Sequence, residues 1–169
     1  MLIVPQELKT FPFAPYGRYL SRPLDHPPGL DTGHSLCWPA EYTFPMGEMR
    51  FGVEQARYRP ELEIPELEQH RQSKELIICG DRPVVVTLCL PRDIHDHQER
   101  PRAEDAVALI LRPGDVIVLD EFVWHSGGMP LEGDTFYLFA YRVRAEALYW
   151  VPVEHGPIKL NLGGLHIEA

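Results

Sequence analysis

Apolar and polar residues alternate along this chain in short runs, and glycine or proline interrupts the runs every few positions. In the stretch 50–58, Phe51, Val53 and Gln55 fall on one face and Gly52, Glu54 and Ala56 on the other, the period of two that marks a strand. The stretch 135–143 does the same, setting Phe136, Leu138 and Ala140 against Tyr137, Phe139 and Tyr141. Further strands are predicted at 36–44, 106–111, 115–119 and 122–125. Segments 75–79 and 83–90 read as a hairpin around Gly80-Asp81-Arg82, because β-branched residues fill Val84-Val85-Val86-Thr87 and the linker is short. The N-terminal stretch 6–20 scatters Phe11, Phe13, Tyr16 and Tyr19 among Pro12, Pro15 and Gly17, too interrupted for a helix and suited to an edge segment clamped over a barrel. Turn chemistry fills 25–31, and a loop through Pro60 and Pro65 leads to Glu68. The expected fold is therefore all-β, a jelly-roll barrel with few helices, which closes without exposed edges. One domain spans 1–169: an N-terminal segment (1–35), the barrel (36–145) and a tail (146–169) packing on it.

Composition narrows the function. The 169 residues suffice for one well-packed domain, and 17 prolines with 13 glycines favour many turns over long helices. A formal net charge of -9 supplies no basic stripe for phosphates, which argues against a nucleic-acid partner. No apolar run is long enough to span a membrane and no leader pattern opens the chain, so a cytoplasmic, soluble protein is expected. Cys37, Cys79 and Cys89 lack metal-type spacing; Cys79 and Cys89 sit in apolar runs and read as reduced, structural thiols.

Two clusters carry candidate chemistry. In Glu68-Gln69-His70-Arg71-Gln72-Ser73-Lys74-Glu75, an extended backbone points Glu68 and His70 to one face, and a bend returns Glu75 to it. The second cluster runs from Arg112-Pro113-Gly114-Asp115 through the apolar Val116–Leu119 to Trp124-His125. A lone histidine beside acids reads equally as a solvated or hydrogen-bonded surface residue, and it is the joint spacing that singles these out. Trp124, adjacent to His125, should point its ring to the opposite face. His95-Asp96-His97 lies in a charged loop without an apolar flank and is the weaker metal candidate.

Both clusters resemble the paired motifs of cupins. Glu68, His70 and Glu75 stand at the three marked positions of the first motif, with glutamate replacing its first histidine. The second motif's spacing is kept from Gly114 to His125, although Asp120 and Phe122 occupy the proline and glycine positions of its bend. The resemblance implies that Glu68, His70, Glu75 and His125 hold one divalent metal inside a cupin-type barrel; two carboxylates and two imidazoles suit Mn, Fe, Ni or Zn, with a metal-free form as the alternative. Within cupins, residues 11–145 are most similar to the ureidoglycolate lyases. Phe13-Ala14-Pro15-Tyr16-Gly17, the run Glu68-x-His70-x-x-Ser73-x-Glu75-x-Ile77-x-Cys79 and Trp124-His125 carry that likeness. Glu75, Ile77 and Cys79 replace that family's Gln, Phe and Pro, and Lys74 stands where a small hydroxyl residue is common; these changes are expected in the pocket wall.

The lyase resemblance implies cleavage of a carbon-nitrogen bond in a small carboxylated substrate, giving glyoxylate and urea. His70, His125 and Glu75 would be the catalytic residues, while Lys74, Ser73, Arg50 and Arg142 would bind substrate, a basic side chain clamping its carboxylate. Glu75 restores the glutamate of the general cupin motif and so keeps open a metal-dependent isomerase or dioxygenase. A non-enzymatic small-molecule-binding cupin is the third reading. A homodimer is expected, packing through the 136–143 strand and the aromatic N-terminal segment.

Overall fold

The structure is a computed structural model that describes residues 1–20, 27–37, 47–142 and 149–163. Among these residues the regular structure is strand apart from two single-turn 3-10 helices at Leu8–Thr10 and Ala103–Asp105. No helix among them is long and apolar enough to cross a membrane.

The frame consists of strands β1 (Met49–Ala56), β2 (Glu66–Gln69), β3 (Glu75–Cys79), β4 (Val84–Cys89), β5 (Ala106–Leu111), β6 (Val116–Leu119), β7 (Trp124–His125) and β8 (Thr135–Arg142). They pair antiparallel as β1 with β8, β2 with β7, β3 with β6 and β4 with β5, as if one long hairpin had been rolled up. Two sheets result, ordered β2-β7-β4-β5 and β1-β8-β3-β6. This is a jelly-roll order. The two sheets do not join into one hydrogen-bonded ring, so the architecture among the described residues is a two-sheet roll and not a closed barrel.

Short flanking strands extend both sheets. Tyr149–Pro152 pairs with β2 and Gln6–Glu7 with β5, while Gly17–Leu20 adds to β6. Gly17 has φ 141, and a Cβ there would lie 1.9 Å from the Val118 carbonyl oxygen, so glycine is required for that strand to dock. A third, three-stranded sheet of Leu2–Ile3, Ile158–Leu160 and Glu63–Ile64 covers the outer face of the first sheet. That cover explains why every residue of β4 is buried although its sequence alternates little. The inner faces of the two main sheets meet in one core built on Val84, Val86, Leu88, Leu109, Ile77, Ile117 and Leu119.

Several sequence expectations change. The 75–79 and 83–90 segments are not a hairpin: β3 pairs with β6 and β8, and β4 pairs with β5, β7 and Met129–Pro130. The Gly80-Asp81-Arg82 linker instead carries the chain from one sheet to the other, and Gly80 is needed because a Cβ there would sit 1.9 Å from the Phe136 carbonyl oxygen. The tail does not merely pack on the roll, since Tyr149–Pro152 is hydrogen-bonded into it. Of the strand expected at 36–44, Leu36–Cys37 forms a ribbon with Leu30–Asp31; residues 38–44 lie outside the described residues, as do 25 and 26 of the expected turn, Val143 and the Cys37 side chain. Cys79 and Cys89 are free and buried, and burial pushes their thiols up to about 12 and about 11, as suits structural cysteines.

Candidate metal centre

Glu68, His70, Glu75 and His125 converge at one end of the space between the sheets. All four are buried, and each offers a ligand atom within 4.8 Å of every other. Among the described residues this is the cluster able to hold a metal ion. Glu68 lies on β2 and His125 directly opposite it on β7, so two ligands come from one ladder position of the same sheet. Glu75 opens β3 in the other sheet and closes the site from across the core. The two motif strands are thus neighbours and do not face each other across the interior. His70 follows β2 in the bend that crosses between the sheets.

That bend is latched to the one preceding β7. Phe122 N–H donates to the His70 carbonyl oxygen (2.8 Å), and the Gln69 side-chain amide donates to the Phe122 carbonyl oxygen (2.8 Å). Phe122 adopts φ 69, the left-handed region, at the position where the cupin motif has glycine. A non-glycine residue there costs about 1–2 kcal/mol, offset by the hydrogen bonds the turn makes to the first cluster. Trp124, on the outer face of the same strand, is buried in the core beneath the third sheet, pointing away from the site as expected.

His125 Nδ1–H donates to the Val123 carbonyl oxygen (2.9 Å), which orients Nε2 into the cluster 2.6 Å from Glu75 Oε2 and 3.6 Å from Glu68 Oε1. Such a backbone partner is the usual device for fixing a ligating imidazole. His70 Nε2 lies 3.0 Å from the same Glu75 oxygen and 3.9 Å from Glu68 Oε2. Its Nδ1 is buried without a hydrogen-bond partner, and its ring is fixed by stacking on Tyr141 at 5.4 Å and 13°. Tyr141 stacks in turn on Phe139 (5.9 Å), which lies over Gly52, where a Cβ would meet the ring at 2.2 Å.

Charge follows this geometry. Burial alone would lower His125, but the Glu75 carboxylate, with Glu68 and the Val123 carbonyl, raises it to about 9. Burial would likewise raise Glu75, yet His125 and His70 outweigh it and hold the carboxyl at about 2. Glu68 is raised, mainly by burial and also by the charges of Glu75 and Glu54, against the opposing pull of the two histidines. Without metal, the cluster is therefore a Glu75 carboxylate paired with a His125 imidazolium, beside a Glu68 whose carboxyl is held above its ordinary value by burial.

The donor set fits a divalent ion. Bonds of about 2.0–2.2 Å to nitrogen and oxygen put neighbouring ligand atoms about 3–3.5 Å apart, and the imidazole–carboxylate separations here bracket that spacing, from 2.6 to 3.9 Å. The bound proton is what a cation would displace. A mixed two-imidazole, two-carboxylate set suits borderline ions such as Mn, Fe, Ni or Zn.

The other expected site residues are not gathered here. Lys74 is ion-paired with Asp120 and lies 3.7 Å from Glu121. The Ser73 hydroxyl donates to the Lys74 carbonyl oxygen and accepts the Arg142 N–H (2.8 Å), a role that holds the bend. The Arg142 side chain is exposed and runs toward Gly47. Arg50 is exposed, opposite Tyr141 in the ladder. Ile77 and Cys79 belong to the inter-sheet core and not to a pocket wall. Phe13 and Tyr16 are core residues too, so the Phe13–Gly17 run reports on packing. His95, Asp96 and His97 are exposed, with Arg71 hydrogen-bonded to His97.

Sequence reasoning missed two features. Tyr137, buried, donates its hydroxyl to Glu54 Oε2 at 2.5 Å, and Gly127 makes room, since a Cβ there would lie 2.8 Å from that hydroxyl. Burial and the Glu54 carboxylate raise the phenol far above its ordinary value, so it stays protonated. Trp150 is paired with Glu68 in the ladder and 46% exposed. Period-two alternation on β1 and β8 puts Glu54 and Tyr137 on one side, but only the β1–β8 register could have paired them. No protein-family profile and no curated protein matches this chain.

Proposed function

We propose that this protein is a divalent-metal-dependent enzyme acting on a small carboxylated substrate, with Glu68, His70, Glu75 and His125 holding the ion. The observation that carries the reading is the convergence of two carboxylates and two imidazoles, from both sheets, in one buried cluster. Burying four such groups away from water is costly unless they are paired or ligate a cation. When bound, the ion would act as a Lewis acid on a substrate oxygen.

The chain's own residues supply the rest. Val123 and the Tyr141 ring fix the two imidazoles, and the latched bends fix the strands that carry them. With the four ligand residues committed to an ion, proton handling falls to neighbouring groups. Glu54, held by Tyr137, is on the inner face of the opposite sheet and is a candidate proton acceptor.

Carbon-nitrogen lysis of ureidoglycolate, as the motif likeness suggests, is the first reaction to assay. Glu75, in place of that family's amide, favours metal dependence. The test is glyoxylate release by chelator-stripped protein reloaded with Mn, Fe, Ni or Zn in turn. Release that needs metal supports the whole reading; tight metal binding without release keeps the metal centre and removes the lyase; release that ignores chelator removes metal dependence. Self-association through the β1 edge is supported by Phe51 and Val53, 73% and 65% exposed, and light scattering tests it.

A further inference from the structure

A cleft of about 790 Å³ opens between the β1 end of one sheet and the 126–130 turn of the other. None of the four cluster residues lines it, but Trp150, the ladder partner of Glu68, does. His125, Glu68 and Trp150 stand opposite one another across β7, β2 and Tyr149–Pro152, so their side chains share one face in a single row. Trp150 lines the cleft, as does Ser126, next to His125. The cleft thus meets the metal centre along the row that runs from Trp150 through Glu68 to His125.

Its lining is chemically uneven. Arg57 and Arg59 line it, and neither forms an ion pair with a described residue, although Glu61 and Glu66 line the same cleft. Glu63 is taken by Lys159, and Glu54 is fixed by Tyr137. Two uncommitted guanidinium groups offer bidentate donors to a carboxylate. The fixed Glu54 carboxylate accepts N–H or O–H groups, and the exposed indole offers a flat face. A molecule complementary to all three is small and planar, with a carboxylate at one end and N–H or O–H donors at the other.

We propose that this cleft is the substrate pocket of the centre, with Arg57 and Arg59 as the carboxylate clamp, Glu54 as the acceptor for the donor end and Trp150 as the stacking face. The assignment rests on the reading of the cluster as a catalytic centre, and it replaces Lys74, Ser73, Arg50 and Arg142 as specificity-determining residues. Lys74 is engaged by acidic neighbours and Ser73 by backbone.

The test titrates N-carbamoylglycine, which has both ends, and the neutral ethylurea into metal-free and Mn-loaded protein, by calorimetry and tryptophan fluorescence. N-carbamoylglycine should saturate and perturb the fluorescence, at least about tenfold more tightly than ethylurea. Arg57→Gln with Arg59→Gln should weaken it by about a hundredfold and Glu54→Gln by about tenfold, all with Mn affinity unchanged. Trp150→Phe should abolish the fluorescence change. Absence of saturation, preference for ethylurea, unchanged affinity in the arginine double variant or Glu54→Gln, or a fluorescence change surviving in Trp150→Phe would overturn the assignment. Failure of the wild-type protein to bind Mn would instead remove the catalytic-centre reading, while the metal-free titrations still test the clamp.

Discussion

Replacing Glu75 by Gln removes the charge that holds His125 protonated while keeping the side chain's shape, and the cost of doing so should depend on pH in a definite direction. His125 is raised from 6.5 to about 9, chiefly by the Glu75 carboxylate working against burial. A group raised on folding stabilises fully below its unfolded value and loses that contribution as pH rises through the folded one. At about 1.4 kcal/mol per unit the pair contributes at most about 3.5 kcal/mol, and burial of both charges makes the realised figure smaller. Glu75 is depressed to about 2, so on its side the contribution is present above about 4.5 and lost as pH falls toward 2. Metal-free wild-type protein should therefore exceed Glu75→Gln by about 1–3 kcal/mol at about pH 6 and by close to nothing above about pH 9. Urea denaturation of chelator-treated samples across that range measures the gap. A gap that grows with pH, or stays constant, would refute the ion-pair account of the metal-free protein.

Other consequences follow from the same geometry. Because a cation displaces the His125 proton, apparent metal affinity should rise about tenfold per pH unit between about 6 and 9, and calorimetry in buffers of different ionisation enthalpy should register the released proton; a pH-independent affinity would contradict this. Gly17→Ala, which drives a methyl group into the Val118 carbonyl, should destabilise by about 3 kcal/mol or more in urea denaturation, and a neutral result would mean that the Gly17–Leu20 strand does not dock as described. Phe122→Gly should relieve left-handed strain and gain up to about 1 kcal/mol, less the entropy of the unfolded glycine, whereas Phe122→Ala should gain nothing; equal effects of the two would deny the strain.

The site was legible where its geometry is local. Glu68 and His70 share a face by strand alternation, and the run from Gly114 to His125 is one turn, one strand and one bend, so spacing alone carried the information. Pairing was not legible. Glu75 looked like the start of a hairpin because Gly80-Asp81-Arg82 is short, yet the link 80–83 is also long enough to span two packed sheets, which lie about 10 Å apart. Only the long-range register of β3 with β6 and β8 places Glu75 opposite Glu68 and His125. Trp150 became a neighbour of Glu68 through a pairing some eighty residues away, which no local pattern encodes. The basic residues misled for a related reason: Lys74 and Arg142 are close to the cluster in sequence or in the strand, but their side chains face Asp120 and Gly47. At position 122 the missing glycine looked like a departure from the turn, and the turn formed nonetheless because Gln69 and the His70 carbonyl hold it.

The central claim is that Glu68, His70, Glu75 and His125 form one metal site, and calorimetric titration of chelator-stripped protein with Mn, Fe, Ni and Zn tests it most directly. The account predicts one ion per chain, with binding weakened about 10–100-fold or more in Glu75→Gln and in His125→Ala while both variants remain folded. Absence of saturable binding to any of the four ions, or binding unchanged in both variants, would contradict it.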